Sequence, residues 1–469
     1  MTVCLEREDF EEVGVIAGFA EDNPVRFYGP SVVIDSRTVT GGEIFFALEG
    51  EHTDGHHFTR QAFENGAACA VVSREWYNLK GPAKENAGNH YIVVADTMSA
   101  MQQLARRYRM KFDIPVVGIG GSNGKTTTKE MTASVLGRRY RVHMSKGNFN
   151  NHLGVPLTLF GLRTEHELAV VEMGINHPGE MELLAGIACP THGLLTNIGH
   201  EHLEFLQDLD GVAYAETALY RYLHENNGVI FVNSTDKRLD DAATGLANTV
   251  PYGTKKRMNG VWAEDVRMDG SGRMLFRLCF STGTVPVTLQ FAGRHNVSNA
   301  VAAAAVGLHF GLEPEEIAAG LESIKPESGW KRLEFQNAGG ITVVNDTYNA
   351  NPDSLRHALD LLCELPVSGK RVAVIGDMLE LGDKSTSEHR SIGRYASGLE
   401  QLDLLYTFGE HAVHCCKDAG MKCSGHFTEE KRLQEVLSAT LRPGDVLLLK
   451  GSRGMRLERF AEGLMKSYG

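Results

Sequence analysis

The stretch from Ile114 to Leu136 constrains the fold of this chain most, because it joins an apolar run, a glycine-rich turn and a threonine-rich segment. The apolar run, 116–120, is typical of a buried parallel strand, and the threonines after Lys125 suit the start of a helix. Glycines at 118, 120, 121 and 124 let the backbone turn tightly and point several N–H groups at one anion. The stretch therefore predicts a strand, a loop and a helix, with an anion at the helix N-terminus.

Phosphate is the anion that such a loop favours, because the helix N-terminus adds partial positive charge to the N–H groups. Lys125 would neutralise the β and γ phosphates of a nucleotide, and Thr126 would supply a hydroxyl oxygen to Mg²⁺. The common G-x-x-x-x-G-K-[ST] spacing needs glycine where this chain has Ile119, so the match is to a shorter form, Gly121–Thr126. A plain glycine turn is the alternative, and the flanking strand and helix patterns favour the nucleotide.

Length and composition indicate a globular protein of several domains. The chain has 469 residues, of which 42% are hydrophobic, and a domain takes roughly 150 residues, so about three domains are expected. The net charge of −12, without a basic stripe, argues against nucleic acid as a partner. The acidic N-terminus lacks the features of a signal peptide, and no apolar run reaches the roughly 18 residues that a membrane helix needs. We therefore expect a cytoplasmic protein with no membrane insertion.

The eight cysteines are scattered along the chain, so reduced thiols are expected in a protein without an export signal. One group of histidines and cysteines could form a zinc site, but it contains no C-x-x-C pair, and an incidental grouping is favoured. The group comprises His411, His414, Cys415, Cys416, Cys423 and His426.

Strand-like runs alternate with helix-length stretches between 168 and 232, which predicts a parallel sheet with helices on both faces. Ligands gather at the carboxyl ends of such strands. Two of these ends carry metal-binding side chains, because Glu172 closes one run and His202 follows the next. Taken alone, a structurally paired glutamate and a core histidine would be the simpler interpretations. Their position in the same sheet as Lys125 favours a Mg²⁺ site.

Three further places carry candidate ligand-binding residues. Ser36 and Arg37 directly follow a strand-like run, where loop residues commonly meet ligands, although a solvated arginine is an equal interpretation. Asn296 and Asn299 start an alanine-rich helix and could either bind an adenine edge or cap the helix. The last segment repeats the alternation of strands and helices, and its first loop, 345–354, is so rich in Asp, Asn and Tyr that function is favoured over turn formation.

With these motifs the chain resembles the Mur ligases of peptidoglycan synthesis over essentially its whole length. The family pattern G-[TS]-x-G-K-T corresponds to Gly121–Thr126, and Asp35–Leu48 is similar to the UDP-sugar module of two family branches. Asp346–Pro352 resembles the branch that adds D-alanyl-D-alanine, whereas the D-N-P-R signature of the branch that adds a single amino acid is absent. The resemblance implies an α/β fold of three domains. They are a small UDP-sugar-binding domain (1–97), a central P-loop-type parallel-sheet ATPase domain (98–325) and a C-terminal Rossmann-like domain that binds the dipeptide (326–469).

The activity implied by the resemblance is ATP-dependent ligation of D-alanyl-D-alanine to UDP-N-acetylmuramoyl-tripeptide. The γ-phosphoryl group of ATP would pass to the terminal carboxylate of the tripeptide, and the dipeptide amine would then attack the acyl phosphate. ATP and Mg²⁺ are the implied cofactors, the substrates are small molecules, and a monomer is expected. The alternatives are a sister ligase that adds a single amino acid, a folylpolyglutamate-type ligase, a kinase or motor-type NTPase, and a non-catalytic UDP-sugar sensor.

The resemblance also implies roles for individual residues. The expected catalytic residues are Lys125, Arg332, Asp346 and Glu216. The UDP substrate is expected at Ser36 and Arg37, and the incoming dipeptide at Asn349, Lys450, Ser452 and Arg453. The expected Mg²⁺ ligands are Thr126, Glu172, His202 and Glu216. The expected ATP contacts are Gly121, Ser122, Asn123, Gly124, Lys125, Thr126, Thr127, Asn296, Asn299, Arg332 and Asp346.

Glu216 marks a departure from the family, which commonly has a lysine carbamylated by CO₂ at this distance after the metal-binding histidine. A glutamate brings its own carboxylate on a shorter side chain, so we expect Glu216 to replace the carbamate. The alternative is a register shifted by a turn, because Tyr214 occupies another common lysine position.

Overall fold

A computed structural model of the chain describes residues 3–18, 25–28, 31–80, 89–253, 260–325, 329 and 331–468. Within these ranges the strands form five sheets, and each sheet takes all its strands from one part of the chain. None of the helices in these ranges is long and apolar enough to span a membrane. We refer to the N-terminal, central and C-terminal segments according to these sheets.

The N-terminal segment contains a five-stranded sheet with the strand order β2-β7-β6-β5-β4 and a separate antiparallel pair, β1 and β3. The inner strand Cys69–Ser73 is a continuous apolar run because both of its faces are covered. The strands are β1 (Cys4–Glu6), β2 (Gly14–Ala17), β3 (Arg26–Tyr28), β4 (Val32–Val33), β5 (Ile44–Phe46), β6 (Cys69–Ser73) and β7 (Tyr91–Val94). The helices are α1 (Arg7–Glu11), α2 (Thr59–Glu64), α3 (Arg74–Lys80) and α4 (Thr97–Met110).

The central segment contains the predicted parallel sheet, with the strand order β13-β12-β11-β8-β10-β9. A three-stranded antiparallel sheet, β14-β15-β16, follows it and was not predicted. The strands are β8 (Val116–Gly120), β9 (Val142–Met144), β10 (Leu168–Glu172), β11 (His192–Leu195), β12 (Val229–Asn233), β13 (Thr249–Tyr252), β14 (Trp262–Met268), β15 (Met274–Phe280) and β16 (Gly283–Leu289). The helices are α5 (Lys125–Leu136), α6 (Gly154–Phe160), α7 (Glu180–Ala188), α8 (Leu203–Leu206), α9 (Leu209–Glu216), α10 (Ala218–Glu225), α11 (Lys237–Ala242), α12 (Arg294–His309) and α13 (Pro314–Ser323).

Strand β8 lies inside this sheet, between β10 and β11, so both of its neighbours end at the same edge. Helix α5 starts from that edge and packs against α12, whose residues Asn299–Gly307 are all buried. Five of those nine residues are alanines, and small side chains allow two helix backbones to approach closely. A Cβ added to Gly307 would lie 2.5 Å from Val135 on α5, which shows how close the approach is.

The C-terminal segment contains a six-stranded sheet with the strand order β17-β18-β22-β19-β20-β21, parallel except for the edge pair β17 and β18. The predicted second alternation of strands and helices is therefore present, with one antiparallel edge strand added. The strands are β17 (Glu334–Ala338), β18 (Ile341–Asp346), β19 (Arg371–Gly376), β20 (Leu404–Phe408), β21 (Cys423–Phe427) and β22 (Val446–Lys450). The helices are α14 (Pro352–Glu364), α15 (Ser385–Ser397), α16 (Val413–Ala419), α17 (Glu430–Thr440) and α18 (Glu458–Tyr468).

The predicted divisions 1–97, 98–325 and 326–469 remain predictions. The first division falls at the start of α4, which begins at Thr97. Residue 326, where the third domain was predicted to begin, lies outside the described residues.

The expectation that all cysteines are reduced is wrong for one pair, because Cys416 and Cys423 form a disulfide. Cys416 lies in α16 and Cys423 starts β21, and a turn at Gly420, with φ of +60°, brings their Cα atoms to 5.2 Å. The zinc interpretation of this region gains no support, because no group of three or more His, Cys, Asp or Glu side chains among the described residues is arranged to hold a metal.

Candidate active site

The phosphate loop, residues 121–124, connects the carboxyl end of β8 to the N-terminus of α5. Gly121 has φ of +105° and Gly124 has φ of +87°, values that residues with a side chain rarely adopt. At Gly121 a Cβ would also lie 2.4 Å from Thr196 Oγ1. The loop therefore places the first turn of α5, whose N–H groups have no partner within the helix, at the open edge of the sheet.

Lys125 lies folded back over this loop. Its Nζ donates hydrogen bonds to the carbonyl oxygens of Gly121, at 2.6 Å, and Ser122, at 3.3 Å. Burial acts to lower the pKa of Lys125, but the nearby carboxylates of Glu201, Glu216 and Glu172 outweigh it, so the pKa is raised. The ammonium group therefore keeps its charge, as a phosphate-binding lysine must.

Glu172 ends β10 and faces the first turn of α5. Its Oε1 accepts hydrogen bonds from Thr126 Oγ1 at 3.1 Å and from Asn150 Nδ2 at 2.8 Å. Its Oε2 is buried without a hydrogen bond and lies 3.7 Å from Nζ of Lys129. Lys129 is fully buried, and its Nζ also donates to the carbonyl oxygens of Ser145 and Gly147. The glutamate thus has one oxygen fixed by neutral donors and one oxygen available to a cation.

Glu216 lies directly beneath the phosphate loop. Its Oε2 accepts a hydrogen bond from the N–H group of Gly121 at 2.9 Å, and its Oε1 is buried without a hydrogen bond. Burial raises the pKa of Glu216 to about 7, against the opposing effect of the Lys125 charge. Tyr214, the residue of the alternative register, has 68% of its surface exposed, whereas Glu216 is fully buried. Of the two, Glu216 is the residue that lies next to the loop.

His202 precedes α8 with φ of +50° and lines the same cleft as the phosphate loop. Its Nε2 lies 3.8 Å from Oε2 of Glu201, and its Nδ1 lies 2.7 Å from Oε2 of Glu380 in the C-terminal segment. Glu201 is buried, and its Oε2 lies 3.6 Å from Nζ of Lys125. The histidine is therefore placed between carboxylates of two segments.

These residues fit a hard cation such as Mg²⁺ in their chemistry. Glu172 and Glu216 each have a buried carboxylate oxygen without a hydrogen bond, and the hydroxyl of Thr126 adjoins the first of them. Mg²⁺ needs only one or two carboxylates when substrate phosphates and water complete its coordination. This requirement is compatible with the absence of a three-residue acidic or histidine cluster among the described residues.

A cleft of about 1290 Å³ contains the phosphate loop and is lined by both the central and the C-terminal segments. Arg332 reaches the loop from the C-terminal side, where its Nη2 donates to Oγ1 of Thr126 at 3.3 Å. The guanidinium also stacks on the ring of Tyr348, 3.9 Å from the ring centroid. Asp346, at the end of β18, accepts hydrogen bonds from the N–H group of Leu333 and from Nζ of Lys450. Arg332 thus contacts the first turn of α5 and Asp346 lines the same cleft, while their roles toward ATP stay predictions.

The two asparagines of α12 line the cleft beside the phosphate loop. Asn296 Nδ2 donates to the carbonyl oxygen of Ala292, and Asn299 Nδ2 donates to Oδ1 of Asn296. A Cβ on Gly124 would lie 2.5 Å from Oδ1 of Asn299, so this side chain touches the loop. The capping interpretation is not supported at this helix start, because the N-cap residue is Gly293, which has no side chain that could cap the helix.

The four residues predicted to bind the dipeptide lie in different environments. Asn349 is exposed and lines the cleft, as does the buried Lys450, whose Nζ bonds to Asp346 Oδ2 at 2.7 Å and to the carbonyl oxygen of Asn349 at 3.0 Å. Ser452 is buried, and its hydroxyl accepts a hydrogen bond from the N–H group of Leu379. Arg453 is exposed and lies over the ring of Tyr348, 5.1 Å from the centroid. Asn349 and Arg453 are the two whose side chains are accessible.

Ser36 and Arg37 form a short turn after β4 in the N-terminal segment and are not among the described residues that line the cleft. Ser36 is buried and donates to Oε1 of Gln61 at 2.7 Å. Arg37 is exposed and makes a bidentate ion pair with Asp35, whose pKa this arginine lowers to about 2.

Sequence reasoning missed Glu201, Lys129 and Glu380. Two of them had a weak sequence signal, because Glu201 immediately precedes His202 and Lys129 lies one helical turn after Lys125. Glu380 is far from the other site residues along the chain, so only the folded structure identifies it.

Profiles of known families match the chain in three parts. The Mur ligase family catalytic domain matches residues 31–109, the Mur ligase middle domain matches 119–307, and the Mur ligase glutamate ligase domain matches 331–453.

Curated relatives named UDP-N-acetylmuramoyl-tripeptide–D-alanyl-D-alanine ligase match most of the chain. The Bacillus subtilis protein is 36% identical over 441 residues, covering 93% of both chains. The Escherichia coli protein is 33% identical over 442 residues, covering 93% of this chain and 94% of that protein.

Solved structures agree with the sequence matches. MurF from Acinetobacter baumannii has a TM-score of 0.87 at 32% identity and covers 99% of both chains. The MurF ligase from Thermotoga maritima in complex with ADP has a TM-score of 0.82 at 27% identity, covering 94% of this chain and 98% of that one. The predicted three-domain α/β fold is thereby confirmed. With profile matches in all three segments and relatives that align from end to end, the chain belongs to the Mur ligase family.

Proposed function

We propose that this chain joins D-alanyl-D-alanine to UDP-N-acetylmuramoyl-tripeptide at the expense of ATP. The products would be UDP-N-acetylmuramoyl-pentapeptide, ADP and phosphate, and the step belongs to peptidoglycan precursor synthesis. The observation that carries the proposal is one cleft in which the C-terminal segment meets the phosphate loop, in a chain that matches ligases of that name over 93% of its length.

The phosphate loop and its neighbours would hold ATP. The N-terminus of α5 and Lys125 would neutralise the phosphates, and Arg332 would approach the γ-phosphate from the C-terminal segment. Asp346, buried beside Lys450, would accept hydrogen bonds from the ribose. Asn296 and Asn299 line the same cleft as the phosphate loop, which supports a nucleotide lying along α12 with its adenine facing these asparagines.

Thr126 and Glu172 would hold one Mg²⁺, His202 would take a second, and Glu216 would supply its carboxylate in place of the carbamate. Bound Mg²⁺ neutralises phosphate oxygens and so favours phosphoryl transfer between two anionic groups. Lys125 lies close enough to Glu216 and Glu172 for their charges to raise its pKa. The structure supports Glu216 in place of a carbamylated lysine, since its carboxylate already reaches the N–H group of Gly121.

Two steps would follow from this arrangement. The terminal carboxylate of the tripeptide attacks the γ-phosphorus, ADP leaves, and an acyl phosphate forms. The free amine of D-alanyl-D-alanine then attacks the acyl carbon, a C–N bond forms, and phosphate leaves with the C–O bond electrons. The chain's contribution would be placement and charge neutralisation, and closure of the C-terminal segment over the cleft would keep water from the acyl phosphate.

The substrates would enter from two sides. Ser36 and Arg37 would bind the UDP end of the tripeptide substrate, and the exposed Asn349 and Arg453 would meet the dipeptide. Lys450 and Ser452 would support the dipeptide site from within the C-terminal segment, since their polar atoms already form hydrogen bonds with other residues of that segment. A monomer would suffice, because the residues assigned to the cleft come from one chain.

A sister ligase or a folylpolyglutamate-type ligase is the remaining rival. Solved structures of these kinds share the fold at 14–16% identity, far below the relatives that add D-alanyl-D-alanine. The test is ADP release from ATP and UDP-N-acetylmuramoyl-tripeptide, with and without D-alanyl-D-alanine or a single amino acid. We expect sustained release only with the dipeptide, and sustained release with a single amino acid would contradict the proposal.

Lys125→Ala tests the assignment of the phosphate loop. We expect it to abolish ADP release, whereas Lys237→Ala, at a lysine whose side chain is 85% exposed, should behave as the unaltered chain. Undiminished turnover in Lys125→Ala would refute the assignment.

Glu216→Ala tests the replacement of the carbamate. We expect it to raise the Mg²⁺ concentration needed for half-maximal ADP release, with Glu165→Ala on the surface as the control. Full activity of Glu216→Ala at low Mg²⁺ would contradict the replacement.

A further inference from the structure

The loop that carries His202 is contacted by the C-terminal segment as well as by the central sheet. Oε2 of Glu380 lies 2.7 Å from Nδ1 of His202, and the carbonyl oxygen of Glu380 accepts a hydrogen bond from the N–H group of Glu204 at 3.3 Å. Glu380 belongs to the loop between β19 and α15. A single residue of the C-terminal segment therefore contacts both His202 and the first turn of α8.

The backbone at this contact is unusual on both sides. His202 has φ of +50° and Glu380 has φ of +63°, and both values lie in the left-handed region. Holding a residue other than glycine there costs free energy, and such residues cluster at functional sites. A simple ion pair between segments does not require two such conformations.

Glu380 is held from its own side by a buried framework. Met378 and Leu381 are buried on either side of it, and the N–H group of Met378 donates to Nε2 of His389. The N–H group of Leu379 donates to Oγ of Ser452. The carboxylate is thus presented from a fixed loop, although 53% of the Glu380 side chain is exposed.

A second contact fixes the same loop of the central segment two residues earlier. Oδ2 of Asp353, in the first turn of α14, accepts hydrogen bonds from the backbone N–H group of His200 at 2.7 Å and from its Nδ1 at 2.9 Å. The C-terminal segment therefore holds the backbone at His200 and the imidazole at His202.

We propose that Glu380 is a positioning residue that orients the His202 imidazole from the C-terminal segment, so that Nε2 faces the metal in the cleft. Nδ1 of His202 is buried without an aligned hydrogen bond and lies 2.7 Å from Oε2 of Glu380. In a carboxylate–histidine–metal arrangement, a carboxylate at this ring nitrogen fixes the tautomer and the orientation of the ring. The inference rests on the proposed function, because that function supplies the metal. Its consequence is that the metal site is complete only when the C-terminal segment is docked.

The experiment measures binding of Mn²⁺, as a spectroscopic substitute for Mg²⁺, to the full-length chain with ADP present. The concentration of free Mn²⁺ is measured from its electron paramagnetic resonance signal, so the assay does not depend on enzymatic turnover. We expect Glu380→Ala to raise the Mn²⁺ dissociation constant by about 10-fold to 100-fold, the usual effect of removing such a partner. Glu380→Gln, which keeps an acceptor oxygen, should recover part of the loss.

Two controls separate positioning from a general structural effect. Glu400→Gln removes a charge from an exposed position of the same segment and should leave the dissociation constant unchanged. In a His202→Asn background, adding Glu380→Ala should cause no further loss, because the residue through which Glu380 acts is already gone. A further loss of similar size in that background, or unchanged Mn²⁺ binding by Glu380→Ala, would overturn the proposal.

Failure of this inference and failure of the proposed function are distinguishable. If the unaltered chain releases ADP only with D-alanyl-D-alanine while Glu380→Ala binds Mn²⁺ normally, the function stands and the positioning role is refuted. If the unaltered chain shows no such release while the Mn²⁺ results are as expected, the positioning role stands and the ligase assignment is refuted.

Discussion

His295 and His357 stack across the boundary between α12 and α14, with ring centroids 5.4 Å apart and an interplanar angle of 15°. Burial lowers the pKa of His295 to about 3, and the neighbouring His357 and Lys450 act in the same direction. Burial also lowers the pKa of His357. Both rings are therefore neutral near pH 7, and acid should charge them and weaken the contact between the two segments.

The size of the effect of His295 follows from proton linkage. The unfolded chain should bind a proton at His295 with a pKa near 6.5, whereas the folded chain binds it only near 3. Because the folded pKa is depressed, this contribution to stability is complete above about pH 6.5 and is lost as the pH falls toward 3. At about pH 5 the unfolded state is almost fully protonated there and the folded state is not, so the loss amounts to about 2 kcal/mol.

The assay compares urea unfolding of the unaltered chain, His295→Gln and the exposed control His52→Gln at about pH 7.5 and pH 5. Gln cannot be charged in this range, so His295→Gln should lose about 2 kcal/mol less than the other two on acidification. Nuclear magnetic resonance of ¹³C-labelled histidines checks the cause directly, since the His295 signal should not titrate above about pH 5. Titration near 6.5, or an equal loss in all three proteins, would refute the reasoning.

Three further predictions concern other parts of the chain. Gly121→Ala should abolish ADP release and lower the melting temperature, because its Cβ would overlap Thr196; normal turnover would contradict this. Arg109→Met should lower the free energy of unfolding in urea by about 3 kcal/mol, because the buried guanidinium donates to several backbone carbonyl oxygens; a loss below about 1 kcal/mol would count against it. Arg37→Ala should raise the KM for the UDP substrate without changing the melting temperature, since the side chain is 80% exposed; an unchanged KM would contradict a role of Arg37 in binding this substrate.

The parallel sheets could be predicted from sequence because their inner strands are continuous apolar runs followed by glycine-bearing loops. Leu168–Glu172 and Arg371–Gly376 are examples in which strand type and position were clear. The antiparallel sheet β14-β15-β16 was missed because β14 mixes charged and apolar residues, with a bulge between Glu264 and Arg267 that interrupts its period of two, and because Pro286 lies inside β16. A pattern of that kind becomes a sheet only through its pairing partners.

The residues of the site also divide into those that could be predicted from the sequence and those that could not. Lys125, Thr126 and Glu172 stand at strand ends or in a recognisable loop, so their proximity follows from the topology of a parallel sheet. Glu380 acts through a contact with His202 that depends on how the C-terminal segment docks, and no local sequence pattern indicates that docking. Sequence therefore predicts residues fixed within one sheet better than residues that meet across two.

The small side chains of α12 determine how closely this helix can approach α5. Because the alanine-rich run 299–307 of α12 packs closely against α5, Asn299 touches Gly124, and the residues expected at the base and those expected at the phosphates lie on one packed pair of helices. A larger side chain in that run would separate the two ends of the nucleotide site without altering any residue that meets the nucleotide. The packing of α12 against α5 therefore sets the separation between the residues proposed to meet the base and those proposed to meet the phosphates, and a change of nucleotide preference would depend on this separation as well as on individual side chains.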